Sequence, residues 1–421
     1  MRVLIVGGGG REHALAWKLA QSPRLSALYA APGNPGIARH ATCLPIRADA
    51  IDELARFAEA ERIDLTVVGP EAPLVAGIVD RFESRGLRIF GPSRAASMIE
   101  GSKAFAKGLM AKHGVPTARF DTFTDAAQAR AYCRVLGAPL VVKADGLAAG
   151  KGALVCQSLA EADAAVDLCL ERQGFGAAGS TVVVEEFMAG EEATLFALSN
   201  GSDVVELGWA QDQKRVFDGD QGPNTGGMGA SAPVAAVDAG LADAVLARIV
   251  RPVIRALEAD GRPYRGLLYA GLMLTREGPK VVEFNCRFGD PECQAVLPRL
   301  EDDLLPLLDA CARGGPLPPR ARWRRGAAVC VVIASAGYPG EYRTGVPIAG
   351  IEDAEAIPGV LVFHAGTASK NDSLVTAGGR VLGVTAAADS VRDATGLAYR
   401  GVDRVRFEGM HFRRDIGRGR R

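Results

Sequence analysis

The sequence predicts a multidomain protein of the α/β and α+β classes, with a parallel sheet at its N-terminus and a mostly β domain at its C-terminus. Three observations predict this architecture. The 421 residues exceed what one hydrophobic core organises. Short apolar strands alternate with helical patterns over the N-terminal quarter of the chain. Hairpin-like, glycine-rich segments follow residue 325.

The composition narrows the class of protein. Lys+Arg and Asp+Glu both number 49, so the formal net charge is zero and no basic excess indicates nucleic-acid binding. The eight cysteines form no C-x-x-C pair, which favours reduced thiols. No apolar run reaches the ~18 residues of a membrane span, and residues 413–421 read as a solvated basic tail. We therefore expect a cytoplasmic monomer or dimer that acts on small molecules, without nucleic-acid or membrane partners.

The first domain, residues 1–101, is predicted to hold a Rossmann-like parallel sheet with right-handed crossovers. Its strands are predicted at Val3–Val6, Ala27–Ala30, Leu65–Val68 and Arg88–Phe90, and its helices at Glu12–Gln21, Ile51–Ala60 and Leu74–Ser84. Glycine or proline clusters follow each strand, at residues 7–10, 32–34, 69–71 and 91–93. Ligands bind at the carboxyl ends of such strands, so these clusters mark the expected binding edge.

The second domain is predicted over residues 102–326, with a small lid subdomain at about 120–188. It opens with a helix over Ser102–His113, and the lid contains strands at Leu140–Lys143, Ala153–Cys156 and Thr181–Glu185 and a helix at Leu159–Leu170. Further strands are predicted at Ala193–Leu198, Val204–Leu207, Leu268–Leu274 and Lys280–Phe284, with a helix over Leu241–Ala259 and a long polar loop over Asp212–Gly229. The third domain, residues 327–421, opens with a strand at Ala327–Ile333.

The segment Val281–Gln294 is the most informative part of the chain. Glu283 and Asn285 lie two apart in a strand, so their side chains point to the same face. A carboxylate and an amide oxygen side by side suit Mg²⁺, which takes one or two carboxylates together with phosphate oxygens and water. Arg287 and Asp290 follow at once, and a cation beside a metal site suggests phosphoryl transfer. The alternative is a surface strand that ends in a charged turn.

The first glycine loop, Gly7–Gly10, follows a strand and opens a helix, an arrangement that favours an anion such as phosphate. It fails as a dinucleotide fingerprint, because Glu12 or His13 occupies the third glycine position and no carboxylate follows the second strand. A smaller phosphate-bearing ligand fits better than NAD. The alternative is a tight turn that needs glycine only for packing.

The second glycine loop, Lys143–Gly152, is not a P-loop, because Lys151 and Gly152 stand where glycine and Ser/Thr are required. A strand follows it, so the loop forms the tip of a β-hairpin that can fold over a triphosphate or remain a mobile surface loop. Lys143 can place its ammonium group on the phosphates. At the acidic turn that follows the next strand, Glu185 and Glu192 are candidates to bind nucleotide amino or hydroxyl groups, or to form a surface hinge.

Taken together, these motifs resemble the ATP-grasp superfamily and, within it, the phosphoribosylamine–glycine ligase family. The segments that carry the resemblance are 9–14, 69–74, 101–103, 143–152, 185–192, 222–229 and 287–294. It covers nearly the whole chain and implies a pre-ATP-grasp N-terminal domain, an ATP-grasp domain with its lid, and a C-terminal domain. It also implies that ATP phosphorylates glycine to a glycyl phosphate, which 5-phosphoribosylamine attacks to give glycinamide ribonucleotide, ADP and phosphate.

The resemblance also implies roles for individual residues. It implies a metal site for Mg²⁺ or Mn²⁺ at Glu283 and Asn285, and catalytic roles for Asp212, Lys214, Arg215 and Arg287. The implied ATP-binding residues are Lys103, Lys143, Gly146, Gly150, Lys151, Gly152, Glu185, Glu186, Met188 and Glu192. The implied substrate-binding residues are Gly9, Gly10, Arg11, Glu71, Asn224, Thr225, Gly226 and Asp290.

Two departures from the family pattern and three rival functions bear on this interpretation. The strand Leu268–Leu274 has no acidic residue that could act as a third metal ligand, and the first loop has four consecutive glycines. The rivals are another ATP-grasp carboxylate–amine ligase, an NAD-linked dehydrogenase and a catalytically silent nucleotide-binding protein. The 287–294 segment counts against another ATP-grasp ligase, and the failed dinucleotide fingerprint counts against a dehydrogenase. The presence of Lys143, Glu283, Asn285 and Arg287 together counts against a catalytically silent protein.

Overall fold

The structure is a computed structural model that describes residues 1–148, 152–371 and 373–418. Its N-terminal region confirms the predicted parallel sheet. Five strands pair in parallel in the order β3-β2-β1-β4-β5 within this part of the described chain. They are β1 (Arg2–Gly7), β2 (Ala27–Pro32), β3 (Thr42–Cys43), β4 (Leu65–Val68) and β5 (Ile89–Phe90). The central strands β1 and β4 are almost fully buried, as their unbroken apolar runs predict.

The helices of this region are α1 (Gly10–Leu19), α2 (Ile51–Ala60), α3 (Glu71–Ala76), α4 (Ile78–Glu83) and α5 (Arg94–Gly101). The single helix predicted over Leu74–Ser84 is wrong. Gly77 has φ +93°, a left-handed conformation that ends one helix and starts the next. The apolar periodicity continues across this break, so the sequence pattern did not reveal it.

The lid has an antiparallel sheet in the order β6-β9-β7-β8. After helix α6 (Lys103–Lys112) come β6 (Phe120–Phe123), α7 (Ala126–Leu136), β7 (Leu140–Ala144), β8 (Ala153–Cys156), α8 (Leu159–Val166) and β9 (Val182–Glu186). A single π-helical turn, Asp167–Glu171, extends α8. Lys143 pairs with Ala153, so β7 and β8 form a hairpin on either side of the glycine loop, as predicted. The expected ATP-binding residues Gly150 and Lys151 lie outside the described residues.

The largest sheet runs in the order β16-β15-β10-β11-β14-β17-β21-β18 and is antiparallel wherever strands pair. The strands of its first part are β10 (Glu191–Asn200), β11 (Val204–Asp212), β12 (Arg215–Phe217), β13 (Gln221–Asn224), β14 (Gly229–Ala232), β15 (Arg265–Thr275) and β16 (Gly278–Asn285). The accompanying helices are α9 (Ala239–Val245), α10 (Arg251–Ala259), α11 (Glu292–Val296) and α12 (Leu304–Arg313), with a π-helical stretch, Leu246–Val250, joining α9 to α10.

The segment Asp212–Gly229, predicted as a loop, instead contains a hairpin in which β12 pairs with β13. The polar strand Gln221–Asn224 has no apolar alternation, so its sequence predicts no strand. Contacts from the C-terminal region hold this hairpin in place, as described below. We call Arg215–Asn224 the substrate hairpin, because the family resemblance implies substrate binding at Asn224 and the two residues after it.

The C-terminal region is strand-rich and largely antiparallel, as predicted. It contains β17 (Ala327–Ala334), α13 (Ile351–Glu355), β18 (Val360–His364), β19 (Thr367–Lys370), β20 (Ser373–Thr376), β21 (Arg380–Ala388) and α14 (Val391–Val402). Strand β17 pairs with β14, so the large sheet continues from the second predicted domain into the third. None of the helices in the described part of the chain combines the length and apolar character that a bilayer crossing requires.

The core joins the regions rather than separating them. One hydrophobic cluster extends from β1 and the helices of the N-terminal region to α10 and β16, through residues such as Leu4, Phe82, Leu257 and Phe284. A second links the other face of the parallel sheet to α12 and β18. This continuity brings the loops of all three predicted domains to one edge, where the candidate site lies.

Candidate active site

The site is built around the end of β16. Glu283 faces Gly271 on β15, and Asn285 faces Tyr269. A Cβ on Gly271 would approach Tyr269 Cε1 to 3.2 Å and Glu283 Cγ to 3.4 Å, so both side chains pack over the glycine. The Glu283 side chain is 38% exposed and lies 3.8 Å from Lys214 Nζ. Burial raises the pKa of Glu283, but the positive charges of Lys214, Lys143 and Lys103 outweigh it and lower the pKa overall. Glu283 is therefore a carboxylate at neutral pH.

The donor set at the end of β16 fits a hard divalent cation. Glu283 supplies carboxylate oxygens and Asn285 an amide oxygen, which at present accepts a hydrogen bond from Arg287 Nη2 at 3.2 Å. Nowhere in the described chain do three or more His, Cys, Asp and Glu side chains gather as a metal cluster. A cation here would complete its shell with phosphate oxygens and water, as the missing acid on β15 predicts.

Arg287 is held by two carboxylates of the N-terminal region. Its Nε lies 3.2 Å from Glu71 Oε2, and its Nη2 lies 3.0 Å from Glu100 Oε1. Glu100 is buried at the end of α5, and its Oε2 accepts hydrogen bonds from Cys286 N at 2.7 Å and from Cys286 Sγ at 3.0 Å. Burial raises the pKa of Glu100, although the charge of Arg287 opposes that shift. The guanidinium is thus aimed along the strand end by carboxylates from the N-terminal region.

Two buried lysines share one buried carboxylate in the lid. Glu185 is paired with both Lys107 and Lys143. Lys143 Nζ also donates to the Val282 carbonyl at 3.2 Å, which places it beside β16. Burial lowers the pKa of Lys107 to about 8, although Glu185 opposes the shift. Because Glu185 is already paired with two ammonium groups, its predicted contact with adenosine requires an exchange of partners.

The base of the glycine loop is tied to helix α6 through Asp145. Lys103 Nζ donates to the Gly146 carbonyl at 3.0 Å. Asp145 Oδ1 accepts hydrogen bonds from Ser102 Oγ at 2.9 Å and from Ala104 N at 2.7 Å. These contacts bring the predicted phosphate lysine Lys103 and the predicted loop residue Gly146 together.

Glu186, Met188 and Glu192 lie in or beside the turn that joins β9 to β10. Glu186 Oε1 accepts a hydrogen bond from Arg119 N at 3.0 Å, and Glu192 lies 3.4 Å from Lys214 Nζ. Met188 is half-buried, beside an exposed Phe187. At the base of the glycine loop, a Cβ on Gly152 would approach Ala148 Cβ to 2.6 Å, so these two residues lie close together.

Asp212 and Lys214 lie between β16 and the substrate hairpin. Burial raises the pKa of Asp212 to about 8; Lys214 lowers it, and Glu292 raises it further. Lys214 lies within 3.8 Å of Glu283, and burial of its ammonium is outweighed by the charges of Asp212 and Glu192, so its pKa is raised. Lys214 therefore keeps its proton near neutral pH. Glu292, which acts on Asp212, accepts a hydrogen bond from Tyr269 OH at 2.8 Å.

The residues that follow the substrate hairpin are tied to Lys214. Thr225 Oγ1 donates to the Lys214 carbonyl at 2.8 Å, and Gly226 N donates to Tyr338 OH at 3.0 Å. Asn224 pairs with Arg215 across the hairpin. The Arg215 guanidinium donates to the Gly222 carbonyl at 2.7 Å, within the hairpin itself. Arg215 therefore stabilises the hairpin, and its predicted catalytic role stays a prediction.

Asp290 joins the first glycine loop to the C-terminal region. Its Oδ2 accepts a hydrogen bond from Arg11 N at 3.1 Å, next to Gly10. Arg380 Nη1 donates to the carbonyls of Asp290 and Gly226, both at 2.6 Å. Burial raises the pKa of Asp290, but Arg380 and Arg11 lower it overall. The structure therefore brings together Gly10, Arg11, Asp290 and Gly226, which were predicted separately.

The first glycine loop differs from the simple phosphate cradle that the sequence suggested. Gly9 N donates to Glu12 Oε2 at 2.5 Å, and Arg11 N donates to Asp290. Two of the expected N–H donors are thus satisfied by carboxylates of the chain. The Arg11 guanidinium donates to the Gly69 carbonyl at 2.6 Å and lies 3.9 Å from Glu71, so it remains the nearest cation for a phosphate.

Sequence reasoning missed Glu100, Lys107, Asp145 and Arg380. Each of these residues contacts a partner that is distant in sequence. The sequence around a single charged residue does not indicate which distant residue it will contact. Only Lys107, on the helix that begins at Lys103, had a local indication: it lies four residues after Lys103 and so on the same helix face.

Comparisons with known proteins give a consistent result. The phosphoribosylglycinamide synthetase N domain model matches residues 1–100, the ATP-grasp (A) domain model residues 101–293, and the C domain model residues 328–419. Phosphoribosylamine–glycine ligase of Rhizobium meliloti is 52% identical over 417 residues, covering 99% of this chain and 98% of that protein. The Pseudomonas aeruginosa protein of the same name is 50% identical, covering 99% of this chain and 97% of that one.

Solved structures agree with these sequence relatives. The crystal structure of phosphoribosylamine–glycine ligase from Thermotoga maritima superposes with a TM-score of 0.87 at 34% identity, covering 99% of this chain and 100% of that chain. The biotin carboxylase domain of Hydrogenobacter thermophilus 2-oxoglutarate carboxylase, crystallised with MgADP and bicarbonate, has a TM-score of 0.73 at 16% identity. It covers 98% of this chain and 91% of that chain, and the likeness concerns the ATP-grasp fold alone.

Proposed function

Because the chain belongs to the phosphoribosylglycinamide synthetase family, its activity is that of a phosphoribosylamine–glycine ligase, and we propose how its residues divide that reaction. The enzyme joins glycine to 5-phosphoribosylamine, consumes ATP, and gives glycinamide ribonucleotide, ADP and phosphate in purine biosynthesis. ATP phosphorylates the glycine carboxylate, and the ribosylamine nitrogen then displaces phosphate from the glycyl phosphate. One observation supports this division: Lys143, Glu283, Asn285 and Arg287 converge at the end of β16, where Lys143 reaches in from the lid and Glu71 from the N-terminal region.

The ATP-binding side is proposed to lie between the lid and β16. Lys103 and Lys143 bind the phosphates, and Gly146 and Gly152, together with the predicted Gly150 and Lys151, form the loop above them. Glu186, Met188 and Glu192 contact the adenosine, and Glu185 exchanges one of its lysine partners when ATP arrives. Buried ammonium groups stabilise the negative charge of the transferred phosphoryl group more strongly than exposed ones do, because a low local dielectric strengthens their electric field.

The family uses ATP with a divalent metal. We propose Mg²⁺ or Mn²⁺ at Glu283 and Asn285, where the cation would neutralise phosphate charge during phosphoryl transfer. The Asn285 amide oxygen, which accepts a hydrogen bond from Arg287 in this structure, would exchange that bond for the cation. That exchange frees one guanidinium donor for the acyl phosphate and for the oxyanion formed on amine attack.

The substrate side is proposed at the other end of the strand. Gly9, Gly10, Arg11 and Glu71 hold the phosphate and the ribose of the ribosylamine, and Asp290 keeps that loop beside the reaction. Asn224, Thr225 and Gly226 enclose the reacting groups. Asp212, with its pKa near 8, is placed to accept the proton that the amine releases, and Lys214 stabilises developing negative charge.

The proposal extends to organisation and location. Residues 1–101 carry the ribosylamine side, residues 102–326 the ATP-grasp domain with a lid at about 120–188, and residues 327–421 the C-terminal domain. All eight cysteines are free thiols, which supports a reducing, cytoplasmic location. Small molecules are the proposed partners, with a monomer or a dimer as the assembly.

The reaction is tested by ADP release with Mg-ATP, glycine and freshly generated phosphoribosylamine, each omitted in turn. Stoichiometric ADP that requires all three components is the expected result. ADP release that is indifferent to glycine or to the ribosylamine would refute the choice of substrates and favour another ATP-grasp carboxylate–amine ligase.

The metal assignment has its own test. Glu283→Ala is expected to lower kcat by at least about 100-fold, the scale of one preorganised electrostatic element. The matched control is Glu277→Ala, an exposed carboxylate at the other end of the β15–β16 hairpin. Near-wild-type turnover of Glu283→Ala would remove the assignment. Electron paramagnetic resonance of Mn²⁺ tests the same assignment without turnover, because Glu283→Ala should lose Mn²⁺ binding.

A further inference from the structure

We propose that Arg413 is a positioning residue that holds the substrate hairpin over the reacting groups, so that the C-terminal segment 411–416 controls the amine side of the reaction. The expected effect on phosphoribosylamine kinetics rests on the proposed function. The attachment of the hairpin to Arg413 rests on observed contacts alone. The sequence had suggested a solvated basic tail from residue 413 onward, and for Arg413 that prediction is wrong.

Arg413 is buried, with 2% of its surface exposed. Its guanidinium makes four hydrogen bonds, two to the substrate hairpin and two to Asp415 in its own segment. On the hairpin side, Nη1 donates to the Arg215 carbonyl at 3.1 Å and to Asp220 Oδ1 at 2.9 Å. On its own side, Nε and Nη2 donate to the two oxygens of Asp415 at 2.8 and 2.7 Å. This planar, bidentate geometry is one that lysine cannot reproduce.

The neighbours of Arg413 continue the contact along the hairpin. His411 Nε2 lies 2.9 Å from the Val216 carbonyl, and the His411 ring packs edge-on to Phe217 at 5.6 Å. Asp415 Oδ2 accepts a hydrogen bond from Gly219 N at 2.8 Å. The first strand and the turn of the hairpin are therefore bound to the C-terminal segment, while Phe217 itself is half exposed.

The C-terminal segment is itself fixed to the fold. The backbone of His411 bridges to Ala334 at the end of β17, with hydrogen bonds of 2.7 and 2.8 Å. Tyr399 OH, on α14, donates to the Arg413 carbonyl at 2.8 Å and accepts from Ile416 N at 3.0 Å. The segment is thus a rigid support rather than a tail.

The hairpin transmits this support to the site. Its second strand ends at Asn224, and the next residue, Thr225, bonds to the Lys214 carbonyl through both N and Oγ1, at 2.8 Å each. The Lys214 ammonium lies 3.8 Å from Glu283. A displacement of the hairpin therefore moves Lys214 and the 224–226 segment, but it leaves Lys103, Lys143 and the lid where they are.

Removing the guanidinium leaves Asp220 and Asp415 without the cation between them, so the hairpin should loosen. In Arg413→Met we expect kcat/KM for phosphoribosylamine to fall about 10- to 100-fold, the scale of a displacement of about 1 Å at a reacting centre. Binding of a non-hydrolysable ATP analogue should stay within about twofold of wild type. Arg413→Lys should restore only part of the loss. The control, Arg414→Ala, removes an exposed neighbouring side chain and keeps the backbone N–H that bonds to Asp218.

Limited trypsin digestion gives a readout that does not depend on turnover. Cleavage after Lys214 and Arg215 should accelerate at least about tenfold in Arg413→Met, because local opening sets the rate of proteolysis. It should be unchanged in Arg414→Ala.

Asp220→Asn provides a second variant that leaves the C-terminal region intact, should Arg413→Met not fold. It should change the amine kinetics and the trypsin rate in the same direction, and the double variant should show less than the sum of the two effects. Wild-type kinetics and wild-type trypsin protection in both single variants would overturn the positioning role. A wild-type enzyme that fails to make the ligation product would instead refute the proposed function and leave the trypsin result to judge the hairpin contact.

Discussion

Acidification should weaken the contact between the N-terminal and C-terminal regions through a buried histidine. His364 ends β18 and is 4% exposed. Its backbone N–H donates to His13 Nδ1 at 2.7 Å, and its ring lies 3.1 Å from Thr367 Oγ1. Asn34 Nδ2 donates to its carbonyl at 2.9 Å. Burial, and secondarily the charge of Arg39, lower the pKa of His364 from 6.5 to about 4.

The sign follows from proton linkage. Between pH 6.5 and 4 the unfolded chain binds a proton at residue 364 and the folded chain does not, so falling pH favours unfolding. The contribution is fully present above the unfolded pKa and is lost as the pH falls towards the folded pKa. With values of 6.5 and about 4, the loss from His364 at pH 5 is about 2 kcal/mol. The pKa of His13 is also lowered, by burial first and by His364 next, so it acts in the same direction.

Urea unfolding at pH 5 and pH 7, followed by tryptophan fluorescence, measures this loss. Trp17 packs edge-on to Phe363 at 6.0 Å, so one tryptophan reports directly on the contact. Other groups also titrate in this range, so the quantity to compare is the difference between wild type and His364→Gln. The variant should lose less stability than wild type on acidification, by about 2 kcal/mol. His113→Gln, at an exposed position, is the matched control.

The reasoning would be refuted by equal pH dependence in wild type and His364→Gln. Equal slopes would mean that the ring of His364 takes up a proton in the folded state at its ordinary pKa, which its burial forbids. A slope lost in His113→Gln as well would place the titration elsewhere in the molecule.

Two further substitutions test the site and the first glycine loop. Glu100→Gln keeps an acceptor for Cys286 but removes the charge that faces Arg287, so kcat should fall about tenfold, the equivalent of one charge-assisted hydrogen bond; an unchanged kcat would show that Glu100 does not orient Arg287. A Cβ on Gly8 would overlap the backbone of Gly33, so Gly8→Ala should lower stability by about 1–3 kcal/mol and raise KM for phosphoribosylamine. Gly108→Ala, where α6 leaves open space, should instead gain about 0.5–1 kcal/mol in thermal unfolding, and equal effects of the two would contradict the steric argument.

Local patterns in the sequence were sufficient for the elements and for part of the site. Helix α2 spans Ile51–Ala60 and strand β4 spans Leu65–Val68, both as predicted, because each is defined by its own periodicity or apolar run. The Glu283 and Asn285 pair was also predictable, since residues two apart in a strand share a face. Gly77 shows the limit of such local prediction, because a glycine within an apolar repeat does not by itself indicate that its left-handed conformation ends the helix.

The tertiary structure alone decided which charges meet. Arg287 is aimed by Glu100, Glu185 is shared by Lys107 and Lys143, and the substrate hairpin is held by Arg413. These partners are far apart in sequence, and each pairing forms because a buried charge needs an opposite charge or a hydrogen bond close by. The free-energy cost of leaving such a charge unpaired depends on how deeply the folded structure buries it. The sequence by itself therefore determined the elements and the chemical types in the site, whereas packing decided their partners.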